Sequence, residues 1–142
     1  MVFYPIENAI ELIEKFMNRT LPKDEWTHEA HLMVGLHHAT TYGATALIHL
    51  RENISKYNET TNVINSDTSG YHETITHFWL WAVQKYCQKG GILIFDQETL
   101  DDMLWTEELA ERNIWLAYYS KDLMLSTAAR KGLVMPDLKE LD

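Results

Sequence analysis

The 142-residue sequence predicts an all-α protein, a single-domain helical bundle of about five to six helices over residues 1–142. Three observations predict it. Apolar residues recur at helical spacing along most of the chain. Two segments are apolar on nearly every side, as the central helices of a bundle are. Only one short run, Ile92-Leu-Ile-Phe95, has the character of a strand, and no second run offers to pair with it, so it is expected to pack as an apolar loop.

The first helix is expected over about residues 5–19, with Pro5 in the first turn and Ile6, Ala9, Ile10, Ile13, Phe16 and Met17 forming a stripe. Thr20-Leu-Pro-Lys23 breaks it. Asp24 is then the expected N-cap of a second helix that runs to about Tyr42, where Gly43 stops it. Trp26, Ala30, Leu32, Met33, Val34, Leu36 and Ala39 surround that helix axis, which makes it central. A third helix over about 44–60 keeps Leu47, Leu50, Ile54 and Tyr57 on one face, with Arg51 off it, and is peripheral. Residues 61–70 are dense in turn formers and make a structured loop, in which Asp67, Thr68 and Ser69 stand ready to cap the next helix. That fourth helix is expected from near Tyr71 to just before Gly90-Gly91, and its body, including Ile75, Phe78, Trp79, Leu80, Trp81 and Val83, makes it the second central helix. Asp96 to Leu104 and Thr106 to Ser120 read as further helices. A last turn near Ser126 to Lys131 ends at Gly132, before Pro136 opens a polar tail.

Five Trp, seven Tyr and four Phe supply enough buried area for one core without disulfide or structural-metal staples. Cys87 is the lone cysteine, which excludes an internal disulfide and a cysteine zinc cluster and reads as a small buried side chain. Met1 to Asn18 lacks the features of a signal peptide, and no stretch approaches the ~20 apolar residues of a membrane span. A cytoplasmic protein without membrane association is expected. A formal charge of −9 repels phosphate backbones, so nucleic acid is not an expected partner.

Short connections make consecutive helices antiparallel, so the second and fourth helices should run the same way with their N-terminal ends together. Each is polar at that end, through His28 and His31 in one and Tyr71, His72, Glu73, Thr74 and Thr76 in the other. His28 and His31, three residues apart, share a helical face. With His72 they would place three imidazoles around one point and leave an open position, as catalytic metal sites do. A divalent metal, Zn, Fe, Ni or Mn, is the cofactor that such a set would take. The spacing matches no established metal motif: His28 to His31 is one residue shorter than a zinc-protease helix, and His72 to His77 is one longer, about 140° apart. Glu25-Trp-Thr-His28 has the spacing of a di-iron helix, but Glu73 is followed at the matching place by Thr76.

The segments Leu21 to Leu32 and Asn65 to Thr76 resemble a family of small bacterial proteins of unknown function, whose signature motifs are Trp-Thr-His-x-Ala-His-Leu, here Trp26 to Leu32, and Gly-Tyr-His-Glu-Thr, here Gly70 to Thr74. The resemblance extends over most of the chain, to Tyr57-Asn58 and Pro136-Asp137-Leu138. It carries no assigned activity and implies only a shared site.

The leading expectation is therefore a small-molecule enzyme or binding protein. His28, His31 and His72 would hold the metal or act as acid–base groups, Glu73 would be a fourth ligand or general base, and Trp26, Tyr57, Asn58, Asp67 and Tyr71 would bind substrate. The rival is a non-catalytic helical module that docks on a partner or on a second copy of itself. It would use Ile92–Phe95 or the face with Trp115, Tyr118 and Tyr119, and its histidines would form a structural network.

Overall fold

The computed structural model describes residues 3–142; Met1 and Val2, where the signal-peptide reading begins, lie outside the described residues. Among those described, 66% are helical and there is no strand, as the periodicity requires of an all-α chain. No helix is long and apolar enough to cross a membrane.

α1 (Ile6–Met17) buries Ala9, Leu12, Ile13 and Phe16, the stripe visible in the sequence. α2 (His28–Tyr42) begins later than expected. Asp24 lies in a 3-10 turn over Lys23–Glu25, the chain leaves helical geometry at Trp26, and the helix restarts on Thr27, whose hydroxyl accepts the Ala30 N–H at 3.2 Å. The cap is Thr27 rather than Asp24 because Pro22 has already committed the intervening residues to a separate turn.

α3 (Ala46–Thr60) follows a 3-10 turn and buries Leu50, Asn53, Tyr57 and Asn58. α4 (Glu73–Gly90) is capped by His72, whose Nδ1 accepts the Ile75 N–H at 3.1 Å, and not by Asp67, Thr68 or Ser69. The reason lies in the loop. Asn65 Oδ1 takes the Tyr71 N–H at 2.9 Å and the Asn58 amide at 3.0 Å, and Gly70, at φ +77°, is pressed so close that a Cβ there would stand 2.5 Å from Asn65 Oδ1. The backbone turns helical only after this anchor is passed. Gly91, left-handed at φ 63°, closes α4.

α5 (Gln97–Trp105) starts on Asp96, which accepts the Thr99 N–H at 2.9 Å. The single helix expected over Thr106 to Ser120 is broken. α6 (Glu107–Ala110) stops where Glu111 turns extended (ψ 105°), its carboxylate takes the Asn113 N–H at 3.0 Å, and a 3-10 turn covers Ile114–Ala117. α7 (Lys121–Met124) and α8 (Thr127–Lys131) follow, capped by Ser120 and Ser126. The described residues thus hold eight α-helical segments where five or six were expected, the surplus being pieces of four or five residues.

The main core joins α1 to α6 around Phe16, Met33, Leu36, Tyr57, Leu100 and Met103. A second cluster, Phe78, Tyr119 and Met124, lies on another face of α4. α4 is therefore packed on more than one side, which is why its sequence shows no single apolar stripe. Cys87 is half-buried, and burial raises its thiol pKa.

Candidate functional site

The two motifs sit at α-helix starts, and nearly every polar side chain in them is bonded to protein. In the first, Thr27 caps α2. His28 Nε2 faces the Leu109 carbonyl at 2.7 Å, and because a carbonyl only accepts, Nε2 carries the hydrogen. His31 Nδ1 donates in the same way to the Thr27 carbonyl at 2.6 Å, and its ring stacks on Trp26 at 3.8 Å. Trp26 in turn stacks on Phe16.

The second motif is a junction between α4, α3 and the last third of the chain. Arg130 donates to the Gly70 carbonyl at 2.7 Å. His72, capping α4 through Nδ1, donates from Nε2 to the Met124 carbonyl at 2.8 Å. Burial, with the charge of Arg130 nearby, keeps its pKa below the ordinary value despite that bond. Glu73, 8% exposed, receives Arg51 Nε at 2.9 Å and Nη2 at 2.6 Å, and the Tyr71 hydroxyl at 2.6 Å. Burial alone would raise the carboxyl pKa, but the Arg51 and Tyr71 bonds outweigh it and hold the group ionised. Burial and the Glu73 charge push the Tyr71 phenol up, so its proton stays in place. Thr74 donates to the Gly132 carbonyl at 2.9 Å and accepts the Val134 N–H at 3.2 Å.

The remaining expected site residues are spread through the same scaffold. Tyr57 is buried and donates to the Leu21 carbonyl at 3.0 Å, and Asn58 is bonded to Asn65. Asp67 forms an exposed ion pair with Lys131 at 3.6 Å. His77, one turn beyond Glu73, has a buried Nδ1 with no hydrogen-bond partner among the described residues.

The structure does not gather His28, His31 and His72 at one point. α2 and α4 do advance in the same sense: His28 lies against Trp79, Gly35 faces Val83, and Gln84 reaches the Gly43 carbonyl. Their imidazoles, however, are committed to different places: His28 Nε2 to the Leu109 carbonyl, with its ring against Trp79, and His72 Nε2 to the Met124 carbonyl, while His31 shares a small cavity with Ile75 and Thr76. Among the described residues, no group of three or more His, Cys, Asp or Glu side chains is arranged to hold a metal ion. Beside Trp26 and His31 lies a small apolar cavity of ≈ 60 Å³, walled by residues such as Ile75, Trp79 and Val83, with room for a few waters.

A larger cavity, of ≈ 250 Å³, lies on a different face of α4, between that helix and the segment from Thr106 to Tyr118. Phe78, Trp81, Tyr86 and Tyr118 supply aromatic surface, and Lys85, Lys89 and Glu108 supply charge. Phe78, Trp81, Ala82, Lys85 and Lys89 recur every three or four residues, so one helical face presents them together. That signal was open to a sequence reading: two lysines in register on an otherwise apolar helix. Arg51 had no such signal, since it looks like an outward-facing residue until Glu73 is brought to it from 22 residues away.

Compared with family models, curated proteins and solved structures, the chain matches none.

Proposed function

We propose that this protein binds a small organic molecule in the groove between α4 and the Thr106–Tyr118 segment, with the histidine and glutamate motifs serving as the scaffold that shapes it. The observation that carries this reading is the groove itself, a cavity of ≈ 250 Å³ with aromatic walls and a few charged groups, the composition of ligand sites at a volume just under their usual range of about 300–1,000 Å³. The state of the motifs supports it. Both oxygens of Glu73 and both ring nitrogens of His72 are engaged with protein, so a substrate at that junction would first have to break its bonds. The reading of the histidines as a structural network thus goes together with a ligand site elsewhere.

The test is a titration with a neutral aromatic probe, 2-naphthamide, followed through the Trp81 indole N–H resonance and by calorimetry. Saturable binding to the wild type is expected. Ala82→Phe, which puts a ring into the groove from a half-buried position, should abolish binding and leave the thermal midpoint within a few degrees. Equal binding by the filled variant would place the ligand elsewhere and reject the reading.

A further inference from the structure

A carboxylate stands at the rim of the groove, on two of its lining residues. The Lys85 ammonium pairs with the Asp142 side-chain carboxylate, while the Trp81 indole N–H donates to the Asp142 main-chain oxygen at 3.0 Å. Lys85 is not a free surface charge. Its ammonium stands 5.1 Å from the centre of the Trp81 ring, and its side chain is 28% exposed against 74% for Asp142. The cation is therefore set in place by the wall of the groove, and the anion that meets it comes from outside.

Asp142 is brought there by a short strap. The Leu138 and Lys139 N–H groups both reach the Tyr118 carbonyl, at 2.9 and 3.3 Å, Lys139 lies over the Tyr118 ring, and Leu141 packs on the Phe78 cluster. The strap thus crosses Tyr118 and Trp81, two of the rings that line the groove. Its last contact is weak in kind, an exposed ion pair whose strength is mostly returned to water. A ligand with its own carboxylate and an aromatic body would make the same two polar contacts and add burial in the groove that Asp142 lacks.

We infer that the ligand of this groove is an aromatic carboxylate, seated on Lys85 and the Trp81 N–H in place of Asp142, so that the strap is an internal competitor that leaves when ligand enters. Lys89 adds a second positive charge to the lining, and Glu108 is the one acid in it, so the groove is net positive in a chain of net charge −9. This inference rests on the groove being a ligand site and adds the ligand class.

The experiment compares 2-naphthoate with 2-naphthamide on four proteins: wild type, Ala82→Phe, Lys85→Met and Asp142→Ala. Asp142 is exposed, and Lys85→Met keeps the apolar stem of a side chain that is 28% exposed, so the fold should be kept. The carboxylate should bind the wild type at least about tenfold tighter than the amide, and Lys85→Met should erase that preference. Asp142→Ala should tighten the carboxylate about twofold by removing the side chain that competes for Lys85, the main-chain contact to Trp81 remaining, and the Leu138 and Lys139 amide resonances should shift when the carboxylate binds. If both probes bind with equal affinity and Ala82→Phe blocks both, the groove is a ligand site and the carboxylate inference is overturned. If neither binds at the groove, both readings fall. A carboxylate preference that survives Lys85→Met, or an Asp142→Ala protein that binds more weakly, overturns the inference as well.

Discussion

At His72, two backbone partners settle the state of one ring. Ile75 offers an N–H, so Nδ1 must be bare; Met124 offers a carbonyl, so Nε2 must carry the hydrogen. Alanine there removes a helix cap and a buried tie together, and we expect His72→Ala to lose about 1–3 kcal/mol in urea unfolding. His72→Asn, which keeps a capping oxygen but cannot reach Met124, should recover about half of that. A His72→Ala protein as stable as the wild type would remove the capping role. Stoichiometric metal in untagged protein, lost on that substitution, would restore His72 as a ligand. The motif residues were visible in the sequence, but their partners were not. His28, His72 and Thr74 bond to carbonyls 81, 52 and 58 residues away, and backbone atoms carry no mark in a side-chain pattern.

Among the elements, helix bodies were legible and some ends were not. α1, α3 and α5 lie close to where periodicity puts them, because an apolar stripe and a cap act within a turn or two of the chain. The start of α2 depended on a competition between two capping residues three positions apart, Asp24 and Thr27, which Pro22 decided by starting its own turn. Thr27→Ala should therefore cost about 1 kcal/mol in urea unfolding, and Asp24→Ala should stay within about 0.5 kcal/mol. The reverse order would return the cap to Asp24. The break in the Thr106–Ser120 helix had a similar cause: Glu111 bonds the Asn113 N–H locally, and that alternative is as short-range as the helix it replaces.

In the whole molecule, buried neutral histidines tie stability to pH. His38 is fully buried; its Nδ1 donates to the Val34 carbonyl at 2.8 Å and its Nε2 accepts the Asn53 amide at 3.0 Å, while Asn53 is held by Arg19. Protonation would set a donor against that amide. Burial lowers its pKa from 6.5 to about 4, and burial likewise lowers those of His72 and His77. The unfolded chain, with ordinary histidines, takes up more protons than the folded one between those values, so stability is complete above about pH 6.5 and falls as the pH drops toward 4. For His38 alone the loss is about 3 kcal/mol. Urea unfolding from pH 7.5 to 4.5, above most carboxylate titration, should show this slope, and His38→Gln should make it shallower, the remainder coming from the other histidines whose pKa is lowered. A stability that rises on acidification would contradict the neutral assignment.

The class of fold and the two central helices were determined by the sequence alone, because helical periodicity and all-round apolarity are properties of consecutive residues. The two motifs were also marked there, as polar residues at the starts of apolar helices. Tertiary packing decided what those residues do. Packing hands His28 to the Leu109 carbonyl and His72 to the Met124 carbonyl, partners that no local pattern encodes. It also leaves the ligand-sized cavity on another face of α4, where lysines three to four residues from Trp81 meet chain that folds back from beyond Thr106.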